Sequence, residues 1–301
     1  MRFRRTRLAA GMAVSALALA ACGGGGGEEG GAPEATATVE EAPSFEAGTT
    51  MAELSTAGSI TVGTKFDQPG FGFKGLSETP EGFDVEIAKI IAGNLGISED
   101  NIDWVETPSA VREEVIERGE VDMVVATYTI NDKRKERISF AGPYYSAGQQ
   151  LMVKSDNDTI TGPDDLAANA DAKVCSVTGS TPSENIKQYL ANEGQLVLFD
   201  VYDKCADALR TGQVDVVTTD NVILLGFVGE SEGEFKLVGE QFTEEPYGIG
   251  IAKGDVAFCE FINETLTEAA ESGAYEEAWS STAGEVEGSQ TPELPELAAC
   301  S

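Results

Sequence analysis

Short apolar runs alternate with amphipathic stretches along most of this chain, and that alternation leaves few folds open. Residues 60–64 read as a strand. The isoleucines at 87, 90 and 91 with Leu95 then share one helical face, behind a cap expected at Asp84. A strand over 102–106, a helix over 110–118 capped by Ser109 and a strand over 121–126 complete a first round. A second round starts after Gly148. It has strands at 150–153, 173–177, 196–199 and 214–218, helices at 182–192 and 204–210, and another helix from Asn221. A strand at 247–252 and a helix at 258–271 close the series. Repeated β-α units imply parallel sheets with helices on both faces, so the fold class is α/β. The 301 residues, 41% of them hydrophobic, suffice for two medium lobes or one large domain.

The chain contains no histidine. Ser-His-Asp and Cys-His catalysis, His-ligated zinc and an imidazole pH switch are therefore excluded. With 20 basic and 52 acidic residues the formal charge is −32, a field that opposes nucleic-acid binding and adhesion to anionic lipid. Neither a cofactor nor a metal site is expected. The Asp156-Asn157-Asp158 run starts like a calcium loop but lacks the later Gly and Glu, and reads as a polar turn.

At the N-terminus Arg2, Arg4, Arg5 and Arg7 precede an uncharged stretch from Leu8 to Ala21. This is a secretory pattern, shorter than the ~20 apolar residues of a membrane-spanning helix. Leu19-Ala20-Ala21-Cys22 resembles a bacterial lipobox, which implies cleavage before Cys22 and acylation of its thiol and amine. The expected division is a signal peptide at 1–21 and a Gly- and acid-rich tether at 22–57. Several acyl chains hold a protein far better than one.

Residues 119–145, GEVDMVVATYTINDKRKERISFAGPYY, combine a strand, the hydroxyls Thr127 and Thr129, then Asn131, Asp132 and Arg134, and a Pro-Tyr-Tyr. The segment resembles the solute-binding proteins of ABC importers for polar amino acids, and the resemblance extends over about 58–282. The motifs VCSVTGST and GQVDVVTTDNVIL resemble actinobacterial glutamate-binding lipoproteins. The implied fold has two lobes of the periplasmic-binding-protein kind, two crossover strands (type II-like) and the ligand in the inter-lobe cleft. Crossovers are placed near 146–150 and 245–250, giving lobe 1 at 58–146 and 247–301 and lobe 2 at 149–244.

The resemblance also implies a site. Thr127, Thr129 and Arg134 would hold the ligand's α-carboxylate, because a guanidinium pairs both oxygens and lysine does not. Asp220 would meet the α-ammonium while capping the helix from Asn221. Ser180 and Thr181 would close over the ligand. Thr181 to Glu184 also reads as a capping box with Pro182 at the first helical position. Lys65 and the Ser109-x-x-Arg112 motif would hold a side-chain carboxylate, with Lys65 standing where Gram-negative receptors carry Arg. Phe66 and Phe71 are candidates for an aromatic wall, and Trp104 and Trp279 for the core.

Four cysteines besides Cys22 allow three connectivities in an exported protein. The lobes implied by the resemblance put Cys175 and Cys205 in one and Cys259 and Cys300 in the other, hence those two disulfides. The resulting expectation is a monomeric, extracytoplasmic receptor, at the cell surface or in the periplasm. Its lipid anchor would hold it to the membrane, and it would deliver L-glutamate to the transmembrane subunits of an ABC permease. Aspartate or glutamine binding is the alternative, with an enzyme on the same fold behind it. The cleft offers no evident acid/base for such an enzyme.

Overall fold

A computed structural model describes residues 38–301. The expected signal peptide, Cys22 and the tether up to residue 37 lie outside the described residues. Among the described residues no helix is long and apolar enough to cross a membrane.

The first half comprises α1 (Thr50–Ala57), β1 (Ile60–Thr64), a hairpin of β2 (Asp67–Gln68) and β3 (Gly72–Phe73), α2 (Phe83–Asn94), β4 (Ile102–Glu106), α3 (Arg112–Glu117), β5 (Met123–Val124), the single turn α4 (Asp132–Lys135) and β6 (Ser139–Ala147). Beyond Gly148 come β7 (Gln149–Lys154), α5 (Asp165–Ala168), β8 (Val174–Val177), α6 (Thr181–Asn185), β9 (Leu196–Phe199), α7 (Tyr202–Arg210), β10 (Val216–Asp220), α8 (Asn221–Glu230) and β11 (Phe235–Val238). β12 (Glu245–Ile251), α9 (Val256–Ser272) and α10 (Ala274–Ser280) follow.

Two five-stranded mixed sheets result. One has the order β4-β1-β5-β12-β6, with β1 parallel to β4 and β5 and with β12 antiparallel to β5 and β6. The other has the order β11-β7-β10-β8-β9, with β8 parallel to β9 and β10 and with β7 antiparallel to β10 and β11. The chain changes sheets twice, at Gly148 and between β11 and β12. The passing strands pair there, with Glu245 opposite Ala147 and Pro246 opposite Ser146. This is the two-lobe fold with two crossovers. Gly148 is required at the first one, because a Cβ there would fall 2.7 Å from the Thr243 carbonyl oxygen.

Each sheet has its own core. In the first, Phe71, Phe83, Tyr145, Tyr247 and Trp279 pack edge to face or stacked, with Tyr145 and Trp279 5.2 Å apart and 12° from coplanar. Such pairs add about 0.5–1.5 kcal/mol to their area burial. Phe71 is thus a core residue and not a cleft wall. Phe66 instead lies under the Lys74 ammonium at 5.0 Å. Trp104 packs against the first core while half-exposed. In the second core Met152, Leu209, Val217, Leu224 and Phe227 surround a buried disulfide between Cys175 and Cys205. Cys259 and Cys300 form the other disulfide, which ties the C-terminal residues to α9.

Several local expectations need correction. The tether does not extend to residue 57. The Glu40 N–H donates to the Gly93 carbonyl (2.9 Å), Phe45 packs edge-on against Phe261 (5.5 Å), and α1 is capped by Thr49 and buries Met51 and Leu54. A few apolar side chains among Ala, Thr and Glu are enough to dock this segment. Asp84 caps nothing: α2 starts after Gly82, and the buried Asp84 carboxylate reaches Thr127 and Tyr144 instead. Ser109 does not cap α3, which begins three residues later. The helix expected over 182–192 breaks into a 3-10 turn after Asn185.

Candidate functional site

The C-terminal ends of parallel strands in an open α/β sheet are where ligands bind. Here β1 leads into Lys65, β5 into 126–129, β8 into Ser180 and Thr181, and β10 ends at Asp220. These ends converge on a closed cavity between the sheets, lined by Gln68, Ser109, Arg112, Thr127, Thr129, Ser180, Thr181, Pro182, Tyr202, Thr219, Asp220 and Ile223. About 10 Å³ of open space remains there, room for no more than about one water molecule, so the two sheets are closed against each other over these residues. Of the candidate residues, Lys65 and Arg134 do not line this cavity. Lys65 stands behind Ser109, its Nζ donating to Ser109 Oγ at 2.9 Å. Arg134 borders the wider mouth beside Asn131, Gly179 and Ser180.

Three cations crowd this region. Burial, then the Arg112 charge, pulls Lys65 down to about 7, and Asp67 and Asp84 oppose this. Arg134 is drawn down to about 10 by burial and then by Arg112. Its Nη1 donates to the Thr129 carbonyl (2.6 Å), its Nη2 to the Gly179 carbonyl (3.2 Å), and its Nε pairs with Glu113 (3.2 Å). Arg112 donates from Nη1 to the Ala126 carbonyl (2.8 Å), while its Nε has no protein partner among the described residues. Both guanidiniums lie over the Tyr128 ring, at 4.1 Å for Arg112 and 4.9 Å for Arg134, a contact that offsets part of their desolvation. Like charges this close, with little water, favour an anionic occupant.

Asp220 is the acidic group of the site, and a cation facing it would favour its ionised form. Its Oδ2 accepts the Tyr247 hydroxyl at 2.7 Å, and its buried Oδ1 has no protein partner among the described residues. Burial and the nearby Glu245 push its carboxyl up to about 8. Although Asp220 immediately precedes α8, its side chain makes no capping bond. The cap expectation is corrected: Oδ2 is held by Tyr247 and Oδ1 is left without a partner, so neither oxygen reaches the α8 amides.

The hydroxyls divide by role. Thr127 has φ +45°, a conformation disfavoured for a β-branched residue. Asp84 holds it there by accepting its N–H at 2.8 Å, and its Oγ1 lies 2.9 Å from Gln68 Oε1. Burial raises the Asp84 carboxyl to about 7, against its hydrogen bonds from Tyr144 and Thr127. Ser180, not Thr181, caps α6 by accepting the Ser183 N–H (3.1 Å). Thr181 is freed to donate to Glu245 (2.7 Å) and to lie 3.2 Å from Thr129 Oγ1 across the cleft. Glu184 pairs with Lys187 and takes no part in a capping box.

Sequence reasoning missed Gln68, Tyr202 and Thr219 on the cavity wall, and Tyr128, Glu113 and Glu245 around it. Thr219 and Tyr128 adjoin chosen residues and were open to selection by adjacency. Tyr202 carries no local signal, because lobe closure alone brings it in.

The family model for bacterial extracellular solute-binding proteins, family 3, matches residues 60–281. A glutamate-binding protein, GluB, of Corynebacterium efficiens is 41% identical over 237 residues, covering 76% of this chain and 80% of the relative. The ABC transporter glutamine-binding protein GlnH of Bacillus subtilis is 37% identical over 231 residues, covering 76% and 83%. Among solved structures, an ancestral arginine-binding protein bound to glutamine superposes with a TM-score of 0.70 at 34% identity, covering 76% of this chain and 99% of that one. The chain belongs to family 3 of the bacterial extracellular solute-binding proteins.

Proposed function

We propose that this chain captures L-glutamate outside the cytoplasm and hands it to the transmembrane subunits of an ABC importer, acting as a monomer anchored through an acylated Cys22. Family membership supplies the coarser statement, an extracytoplasmic binding component for amino-acid import. The glutamate-binding and glutamine-binding relatives leave the side chain to be decided by the site.

The reading assigns the α-carboxylate to Arg134 and Thr129, where it would displace the Gly179 carbonyl, which Arg134 holds at 3.2 Å against 2.6 Å for the Thr129 carbonyl. The α-ammonium goes to the unpaired Oδ1 of Asp220. One observation carries the choice of glutamate: Lys65, Ser109 and Arg112 form a second cationic group beyond this clamp, with Lys65 bonded to Ser109 and the Nε of Arg112 unpaired. A neutral amide would leave those charges uncompensated.

Glutamine is the second reading, favoured by the 37% identical glutamine-binding relative. Calorimetric titration of the purified protein with glutamate, aspartate and glutamine separates the readings. Tighter binding of glutamine than glutamate would reject the proposal. For the anchor, Cys22→Ser should move the protein from the membrane fraction to the soluble fraction. Unchanged membrane retention would reject the lipid attachment.

A further inference from the structure

The hairpin of β2 and β3 belongs to the lobe of the first sheet, yet Asp67 reaches the other lobe. Asp67 is buried, and its Oδ2 accepts the N–H of Tyr202 at 2.6 Å. Tyr202 is the first residue of α7, a nine-residue helix whose own N-cap residue, Val201, provides no side-chain bond. A helix N-terminus leaves free N–H groups and a partial positive charge, which a neighbouring Asp normally satisfies. Here the carboxylate comes from 135 residues away, across the cleft.

Two residues on, Pro69 makes a second contact of the same kind. A Cβ on Gly226, inside α8, would fall 2.4 Å from the Pro69 carbonyl oxygen and 3.2 Å from its carbonyl carbon. Glycine within a helix is disfavoured against alanine, so α8 bears a local cost where Pro69 sits. Between these contacts Gln68 lines the cavity, as does Tyr202 opposite.

We propose that the turn at residues 67–69 is a closure latch: Asp67 caps α7 of the opposite lobe only when the cleft is shut, and Gly226 leaves the groove in which Pro69 seats. Asp67 is thus a positioning residue that stabilises the closed arrangement of Gln68 and Tyr202. The inference rests on the reading that ligand is captured by lobe closure. In an open form water satisfies the α7 amides whether or not Asp67 is present, so loss of the cap falls entirely on the closed state and weakens every captured ligand by one common factor.

The test is titration calorimetry of the purified protein with L-glutamate and with the other nineteen common amino acids, for wild type, Asp67→Ala, Asp67→Asn and Gly226→Ala. Melting temperature without ligand and small-angle scattering at saturating ligand accompany it. Asp67→Ala should weaken binding about fivefold to tenfold, by the same factor for each amino acid bound. Asp67→Asn keeps an acceptor for the Tyr202 N–H and should stay within about twofold of wild type. Gly226→Ala should weaken binding at least about tenfold and reduce ligand-induced compaction. Its melting temperature without ligand should be unchanged or higher, since alanine suits a helix better.

The latch is overturned if Asp67→Ala and Gly226→Ala bind within twofold of wild type and compact fully. It is also overturned if Asp67→Asn loses as much as Asp67→Ala, because Asp67 would then act through its charge on Lys65. Wild type that binds another amino acid and not glutamate sinks the glutamate reading alone, and the latch is scored with that ligand. Wild type that binds none of the twenty sinks both.

Discussion

The Arg134 guanidinium donates to the Gly179 carbonyl oxygen at 3.2 Å, joining the turn after β5 to the turn after β8 across the cleft. An amino-acid carboxylate arriving at Arg134 thus meets a group already spanning both lobes.

Arg134→Ala should weaken binding of all amino acids alike, since each carries an α-carboxylate. Truncating one partner of a buried charged pair costs about 2–5 kcal/mol, which is at least ~30-fold in affinity. Arg134→Lys should not restore it, because an ammonium lacks the planar fork. Titrations with three amino acids read the effect. Near-normal affinity in Arg134→Ala would remove that residue from the site.

Removing each disulfide by paired Cys→Ala substitution should cost about 3–4 kcal/mol by the chain-entropy estimate, for sequence separations of 30 at Cys175–Cys205 and 41 at Cys259–Cys300. Loss of the second should also release the C-terminal segment, which Ala298 holds to the Gly142 carbonyl at 2.8 Å. Urea unfolding and limited proteolysis report both effects. A change below 1 kcal/mol at either pair would contradict the estimate.

Burial lifts Asp220 from its ordinary 3.8 to about 8. A raised value means that its contribution to stability is complete below 3.8 and is lost as pH rises through about 8. Asp84 acts in the same direction up to about 7, and the lowered Lys65 acts in the opposite one, favouring the fold as pH rises from about 7 towards 10.5. Asp220→Asn keeps an acceptor for Tyr247 and cannot ionise. Without ligand, its melting temperature should therefore fall less between pH 5 and 9 than that of wild type. Parallel melting curves for the two proteins would show that Asp220 carries no such load. The same variant should bind amino acids weakly, having lost the charge opposite the ammonium.

What the sequence disclosed follows from the range of each interaction. Strand and helix order depends on local periodicity and was legible, as was the strand–turn–Arg segment around Arg134. Caps were less so. Ser180 and Thr181 are adjacent hydroxyls with equal local claims, and only Glu245, folded in from β12, takes Thr181 out of contention. Asp84 has the local look of a cap, but the Thr127 amide from a distant strand end claims its carboxylate. Residues 40–57 look too polar to fold alone, and they do not fold alone: Phe45 and Leu54 borrow the apolar surface of the first core. Gln68 and Tyr202 become neighbours only when two lobes meet, and no window of sequence contains that event.

In the proposed site Lys65, Ser109 and Arg112 select an acidic side chain. Sites built around buried polar partners reject analogues lacking them by as much as ~10⁴. The measurement is the ratio of glutamate to glutamine affinity at fixed ionic strength, for wild type and for Lys65→Met with Arg112→Met. Wild type should prefer glutamate by at least ~100-fold, and the double variant should compress that ratio while the Arg134 clamp still binds amino acids. A double variant that kept the full wild-type preference would contradict the account.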